Sequence, residues 1–285
     1  MIKDIFKNKK PVFSFEVFPP KKDDEFEAVY DILDQLVLLS PDFISVTYGA
    51  GGSNSKKNLE IASYIQNKCH IEALAHLTSV GLNREELTKS YEDLLEHHVQ
   101  NILALRGDRP ALMTDEQFHN RSFIHASEMI EYLKSNTDFT VAGACYPEKH
   151  FESPSLEKDL DYLQEKVSAG TDFLISQLFF DNEHFFRFQD LCAKKNIQVP
   201  ISAGIMPITS AKQLGTTVSL SGSSVPKSLA DIIANHGDHP SDMKKAGIDF
   251  AICQIQDLLS HGVDGIHIYT MNKPDIASKI IDAVR

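Results

Sequence analysis

The order of short apolar segments along the chain constrains its fold most strongly. Eight such segments recur in the 285 residues, and the stretches between them carry apolar residues at helical spacing. We predict strands at residues 12–18, 42–48, 71–77, 101–107, 139–146, 172–180, 199–205 and 264–270. Eight strand–helix repeats predict a (β/α)8 TIM barrel, formed by residues 1–285 as a single domain.

Helices are predicted between these strands at residues 26–38, 84–97, 126–134, 156–167 and 183–194. A long helix capped by Ser241 is expected to end at Ser260, and a final helix to begin at Pro274. The stretch between the last two strands is overlong and has room for an extra helix. The main rival fold is a doubly wound open sheet, which would usually have a glycine-rich turn after its first strand. Pro19 and Pro20 stand there instead.

Composition excludes several classes of partner. The formal net charge of -12 argues against binding to nucleic acid or to an anionic membrane surface. Neither a membrane-spanning apolar run nor an N-terminal secretory signal is expected. The four cysteines form no C-x-x-C pair, which predicts reduced thiols, no metal site and a cytoplasmic location.

Polar residues stand at the predicted C-terminal ends of the strands. Active sites of such barrels gather at this rim, so the fold would bring these residues together. They are Glu16, Thr47, His76, Arg106, Asp108, Tyr146, Gln177 and Tyr269.

Alternation along the first strand sharpens the prediction for Glu16. Ser14 and Glu16 share one face, and Phe13, Phe15 and Val17 share the other. The aromatic face is expected to pack against the surrounding helices. Glu16 would then project into a partly desolvated barrel mouth, where it could act as an acid. The alternative is a structural glutamate bonded to a neighbouring Lys or Ser.

Three other motifs leave alternatives open. Arg106, Gly107 and Asp108 form either a site turn or an ordinary solvated turn. The glycine loop after the second strand lacks the P-loop spacing and is interpreted as a border of the site. His236 and His239 are interpreted as a solvated loop rather than as metal ligands.

A family resemblance rests on eight ordered segments: SFEVFPPK, FISVTYGAGGS, LAHLT, LALRGDRP, ACYPEKH, ISQLFFD, AGIMPI and GIHIYTMNKP. Together they resemble the bacterial, flavin-dependent methylenetetrahydrofolate reductase family, from residue 13 to the C-terminus. The resemblance implies a catalytic barrel without a regulatory domain, with FAD as cofactor and a homo-oligomeric state. It also implies a ping-pong reaction of one-carbon metabolism and methionine biosynthesis. In that reaction NAD(P)H reduces the flavin, and 5,10-methylenetetrahydrofolate takes the hydride from flavin N5 to become 5-methyltetrahydrofolate.

The resemblance also implies roles for individual residues. Glu16 matches the general acid that protonates folate N10, Asp108 the acid beside flavin N1 and the pterin, and Gln177 the amide that recognises the pterin. Gln213 and Lys273 fall on the folate and nicotinamide side. The FAD-contact positions are Thr47, His76, Arg106, Gly107, Asp108, His125, Ala126, Tyr146, His150, Asp159 and Lys166.

The chain departs from the family pattern beside the implied FAD. Tyr162 and Glu165 stand where some relatives have Asn and Arg, and His125 replaces a Tyr. Glu165 removes a positive charge from a pyrophosphate site, which predicts looser FAD binding. The alternatives are another flavin barrel oxidoreductase of the proline dehydrogenase kind, a flavin-free folate-binding barrel, and a metal-dependent barrel hydrolase or aldolase.

Overall fold

Eight strands of the computed structural model pair in parallel with their neighbours in sequence, and the eighth closes on the first. The structure describes residues 1–20, 22, 25–48 and 55–285. The strands are β1 Val12–Val17, β2 Phe43–Val46, β3 Glu72–Thr78, β4 Asn101–Leu105, β5 Thr140–Cys145, β6 Phe173–Ser176, β7 Ile201–Ile205 and β8 Gly265–Tyr269. The prediction of a (β/α)8 barrel is confirmed, and each predicted strand is present.

Twelve helices are described, and they include every predicted one. They are α1 Ile2–Asn8, α2 Phe26–Val37, α3 Ser55–Asn67, α4 Arg84–Glu96, α5 Asp115–His119, α6 Ala126–Asn136, α7 Leu156–Ser168, α8 Asn182–Lys194, α9 Ala211–Ser221, α10 Lys227–His236, α11 Pro240–Ser260 and α12 Pro274–Val284. The overlong stretch before β8 holds α9 and α10 as well as α11. Within the described ranges, no helix combines the length and the apolar character needed to cross a membrane.

Several predicted boundaries differ from the structure by two residues or more, and the differences at α11 and β6 have a clear physical reason. Helix α11 begins at Pro240 with His239 as its N-cap, rather than after Ser241, because the fixed φ of proline suits the first helical position. Strand β6 ends at Ser176 rather than at Phe180. The apolar run continues past β6 because Leu178 and Phe180 pack with residues of the β7–α9 loop and of α9, α10 and α11.

The strands have two distinct faces, as the alternation predicts. Phe13, Phe15 and Val17 pack in the large core between strands and helices. Val12 instead packs inside the barrel with Phe43, in a cluster that Ile5 and Phe6 of α1 cover from the N-terminal end. Since alternate residues share a face, Ser14 and Glu16 lie on the inner side with Val12. Apolar side chains therefore fill the N-terminal end of the barrel, and polar side chains such as Glu16 line its C-terminal end.

Candidate active site

A cavity of about 1440 Å³, which includes space open to solvent, lies at the C-terminal ends of the strands. We call it the mouth cavity. It brings together residues from β1, β3 and the loops after β2, β4, β5 and β6. The predicted site residues that line it are Glu16, Thr47, His76, Arg106, Gly107, Asp108, Tyr146, His150, Gln177 and Tyr269.

Glu16 lies at the inner edge of the mouth cavity between two imidazole rings. The pairing of β1 with its neighbours sets it beside Ser45 and Tyr269. Only 7% of the residue is exposed. Its Oε2 atom lies 3.5 Å from His76 Nε2 and 3.8 Å from His267 Nε2. A buried carboxyl group beside two imidazoles can exchange a proton with a ligand in the cavity.

The end of β1 is held to the loop after β8. Thr270 Oγ1 donates to the Glu16 carbonyl at 2.7 Å. The Asn272 side chain accepts from the Phe18 N–H at 2.9 Å and donates to the Phe18 carbonyl at 3.0 Å. These bonds fix the backbone on which the Glu16 side chain stands, just before Pro19.

The residue that sequence reasoning missed here is His267 on β8. It is fully buried. Its Nδ1 lies 2.7 Å from Ser14 Oγ, and its Nε2 lies 3.4 Å from Ser45 Oγ. His267 stands two residues before Tyr269 on the same strand face, so alternation along β8 was the signal that could have found it.

His76 is held as a neutral imidazole. Burial lowers its pKa to about 4, with Glu16 opposing the shift and His267 adding to it. Its Nε2 atom finds no hydrogen-bond partner among the described residues. An unpaired buried nitrogen at the wall of the mouth cavity is available to a ligand.

The lowered pKa of His76 predicts a loss of stability in mild acid. An unfolded chain binds a proton at His76 below about pH 6.5, whereas the folded chain stays neutral there down to about pH 4. The free energy of unfolding therefore falls as the pH drops through this window. Urea unfolding should show the native protein losing about 2 kcal/mol more between pH 7 and pH 5 than His76→Gln. Equal losses in the two proteins would contradict this assignment.

Gly107 shapes the turn that carries Asp108. Its φ is +82°, a left-handed value that favours glycine. A Cβ atom there would lie 2.7 Å from Val80 Cγ1 and 2.9 Å from the Thr78 Cβ. Glycine is therefore required both by conformation and by space, and it lets the chain turn Asp108 into the wall of the mouth cavity.

A second cleft, of about 1060 Å³ including open solvent, adjoins the mouth cavity. We call it the side cleft; it lies between the ends of β4 and β5 and helices α6 and α7. It shares Arg106, Tyr146 and His150 with the mouth cavity. The other predicted FAD-contact residues that line it are His125, Ala126, Asp159 and Lys166, and Tyr162 and Glu165 line it too.

Helix α7 supplies one wall of the side cleft through residues at helical spacing. Asp159, Tyr162 and Lys166 lie three and four residues apart, which places them on one helix face. Lys166 Nζ donates to the Ala144 carbonyl at 2.6 Å, and burial lowers the pKa of this ammonium. A Cβ on Gly143 would lie 2.9 Å from Lys166 Cδ, so glycine on β5 makes room for the lysine stem.

Two predicted substrate residues lie outside both cavities. Gln213 and Lys273 line a small separate pocket, and Tyr269 is the one described residue that this pocket shares with the mouth cavity. The Gln213 side chain is already bonded there, since its Oε1 accepts from the Thr209 N–H at 2.9 Å and its Nε2 donates to the Pro207 carbonyl at 3.0 Å. Their roles towards folate or nicotinamide stay predictions.

The remaining motifs add no further group to the site. His236 ends α10 and His239 caps α11. In the part of the chain that the structure describes, no three or more His, Cys, Asp or Glu side chains are grouped to hold a metal ion. Residues 49–54 of the glycine loop, interpreted as a border of the site, lie outside the described residues.

Comparison with known proteins decides the family. The family model described as methylenetetrahydrofolate reductase matches residues 1–285. The chain belongs to the methylenetetrahydrofolate reductase family. The resemblance predicted from the eight segments is confirmed, and membership supports methylenetetrahydrofolate reduction by an oxidoreductase.

Several curated relatives carry the same name. A 5,10-methylenetetrahydrofolate reductase of Pectobacterium carotovorum is 34% identical over 267 residues, which cover 94% of this chain and 88% of the relative. The enzyme of that name from Escherichia coli is 32% identical with the same coverage. Methylenetetrahydrofolate reductase (NADH) 1 of Arabidopsis thaliana is 34% identical over 282 residues, 95% of this chain. The chain spans only 48% of that plant relative.

Among solved structures, a protein from Clostridium thermocellum that binds two copies of 5-methyl-5,6,7,8-tetrahydrofolic acid has a TM-score of 0.66 and 16% identity. The alignment covers 99% of this chain and 97% of that one. At this identity the likeness supports the fold alone.

Proposed function

We propose that the protein reduces 5,10-methylenetetrahydrofolate to 5-methyltetrahydrofolate with NAD(P)H, in a ping-pong reaction relayed by non-covalently bound FAD. The observation that carries the proposal is the burial of Glu16 in the same cavity as Asp108 and Gln177. The named family relatives support the substrate. The C. thermocellum protein adds that a barrel of this shape can bind a reduced folate.

The residues present fit FAD. The mouth cavity and the side cleft adjoin, so a long planar cofactor could extend from one into the other. Tyr146 and His150, whose ring centroids are 4.7 Å apart, stand between them and offer aromatic faces. Arg106 and Lys166 offer cationic groups to a diphosphate. These four residues, with Thr47 and Asp159, would hold the group, which supplies hydride transfer when bound.

Glu16 would hold the proton that opens the folate ring. Its surroundings are a buried wall with neutral His76 and fully buried His267. Such a site keeps bulk water from competing for the proton, which then passes from the carboxyl oxygen to folate N10. Asp108 lines the same cavity, and its negative charge would stabilise the positive charge that develops on the opened folate.

Gln177 would orient the pterin. Its Oε1 accepts from the Leu178 N–H at 2.9 Å, which fixes the carboxamide plane and leaves Nε2 and one oxygen lone pair for a ligand. A pterin edge carries both donors and acceptors, so a fixed amide can pair with it in one orientation.

Glu165 should weaken the binding of FAD. It lines the side cleft with two other carboxylates, and it would repel a diphosphate there. Glu165→Arg replaces an exposed negative charge with a positive one, and it is expected to tighten FAD about three- to tenfold. Quenching of flavin fluorescence measures the affinity. Glu157→Arg is the matched control, because Glu157 is exposed on α7 and does not line the cleft. Unchanged FAD binding by Glu165→Arg would refute this explanation.

Product analysis tests the proposed function. The purified protein, supplied with FAD, NADH or NADPH, and methylenetetrahydrofolate, should form 5-methyltetrahydrofolate, detected by chromatography. Omission of the nicotinamide or replacement of the folate by proline should abolish turnover. Turnover of proline would support the rival flavin enzyme, and folate binding by a protein that takes up no FAD would support the flavin-free barrel. A single domain at residues 1–285, a homo-oligomeric state and a cytoplasmic location stay predictions.

A further inference from the structure

The guanidinium that faces both cavities already has an anionic partner. Arg106 Nη2 donates to Glu152 Oε1 at 3.1 Å, and Nη1 donates to Glu152 Oε2, so the pair is bidentate. The Arg106 side chain is 21% exposed and that of Glu152 is 46% exposed. The pair therefore lies at the opening of the side cleft, where a ligand could reach it.

Glu152 is held in place by its own loop. Its N–H donates to His150 Nδ1 at 3.2 Å, and the His150 N–H donates to Asp159 Oδ2 at 3.0 Å. Lys149 Nζ donates to the Ser153 carbonyl at 2.9 Å on the other side. These bonds fix the backbone of the loop, so only the Glu152 side chain has to be ordered when it pairs with Arg106.

The pairing of Arg106 with Glu152 matters because the side cleft offers few cations to a phosphate. Among the described residues that line the side cleft, the Arg and Lys side chains are those of Arg106 and Lys166. They face three carboxylates in the same lining, those of Glu152, Asp159 and Glu165. Lys166 is bonded to the Ala144 carbonyl. Arg106 is thus the cation with the fork geometry that suits a phosphate, and Glu152 occupies that fork.

We propose that Glu152 is an internal competitor for the diphosphate of the flavin cofactor, and that it lowers the affinity of the site for phosphate-bearing flavins by occupying Arg106. This inference rests on the proposed function. It assigns Glu152 a role in ligand selection. An anion must displace its carboxylate from Arg106, whereas a flavin without phosphate gains nothing from doing so.

Three flavins of graded charge test the proposal by equilibrium fluorescence titration: FAD, FMN and riboflavin. Glu152→Gln keeps the size of the side chain and removes its charge. It should tighten FAD about three- to tenfold, with a smaller gain for FMN and none for riboflavin, which has no phosphate. The gain should shrink in high salt, because screening weakens the charge competition. Glu157→Gln changes the net charge equally outside the cleft and should leave all three affinities unchanged.

The outcomes separate the two proposals. If the native protein binds FAD and Glu152→Gln binds it equally or more weakly, the competitor role is wrong and the proposed function stands. Equal tightening of FAD and riboflavin would also overturn it, since the effect would then not involve phosphate. If no protein in the series binds FAD, the proposed function fails and the inference fails with it. Glu152→Ala replaces Glu152→Gln if the latter does not fold, and it is judged by the same outcomes: a gain for FAD without a gain for riboflavin supports the proposal, and any other result overturns it.

Discussion

Replacing Glu16 with Gln should slow the reduction of methylenetetrahydrofolate by about 10²–10⁴-fold, the usual contribution of general acid catalysis. Flavin reduction by NADH should change within about tenfold, because no proton passes to folate in that half-reaction. Gln keeps the size of Glu and can still form hydrogen bonds, but it has no acidic proton. The buried position of Glu16 between His76 and His267 leads to this expectation.

Stopped-flow absorbance at the flavin band follows each half-reaction separately. Glu72→Gln is a matched control, because Glu72 begins β3 at the opposite end of the barrel and bonds to Asn101. That variant should leave both halves unchanged. If both halves fall together in Glu16→Gln, Glu16 holds the pocket or the flavin. If neither falls, Glu16 is structural and another group is the acid.

Gln177→Ala should weaken the use of folate by tens of times or more. The loss would leave buried polar groups of the pterin unpaired, at about 1–3 kcal/mol for each group. Flavin reduction by NADH should be much less affected, since the amide is proposed to pair with the pterin. Separate measurement of kcat/KM for each substrate provides the comparison.

A glutamine elsewhere on the barrel controls for loss of an amide in general. Gln100 is exposed and precedes β4 at the N-terminal end, so Gln100→Ala should leave both substrates unaffected. Equal damage to the two half-reactions in Gln177→Ala would count against a role in pterin recognition.

The barrel and the direction of Glu16 could be predicted because both depend on local periodicity. Eight apolar runs specify eight strands, and alternation about Phe15 turns Glu16 inward. Helix α11 ends at Ser260 as predicted, where Gly262 takes a φ of +70°. The predicted start of α11 was wrong. Ser241 is a favoured N-cap residue type, but Pro240 has a stronger preference for the first turn, and the helix begins there.

What could not be predicted depends on loops and on contacts between distant segments. Glu152 follows β5 in a loop without periodicity, so nothing in its neighbourhood indicates that it reaches Arg106. Gln213 is bonded within its own turn at Thr209 and Pro207, and sequence matching cannot show this. The predicted end of β6 was wrong for a related reason, because buried loop residues such as Phe180 are as apolar as the residues of a strand.

The most direct test of the account is an anaerobic single turnover of the FAD-loaded protein. NADH is added until the flavin absorbance is bleached, excess nicotinamide is removed, and methylenetetrahydrofolate is then mixed in. The account predicts that the flavin absorbance returns and that about one equivalent of 5-methyltetrahydrofolate forms per flavin, as a ping-pong relay requires. A flavin that stays bleached with methylenetetrahydrofolate, or that recovers without the methylated product, would contradict it.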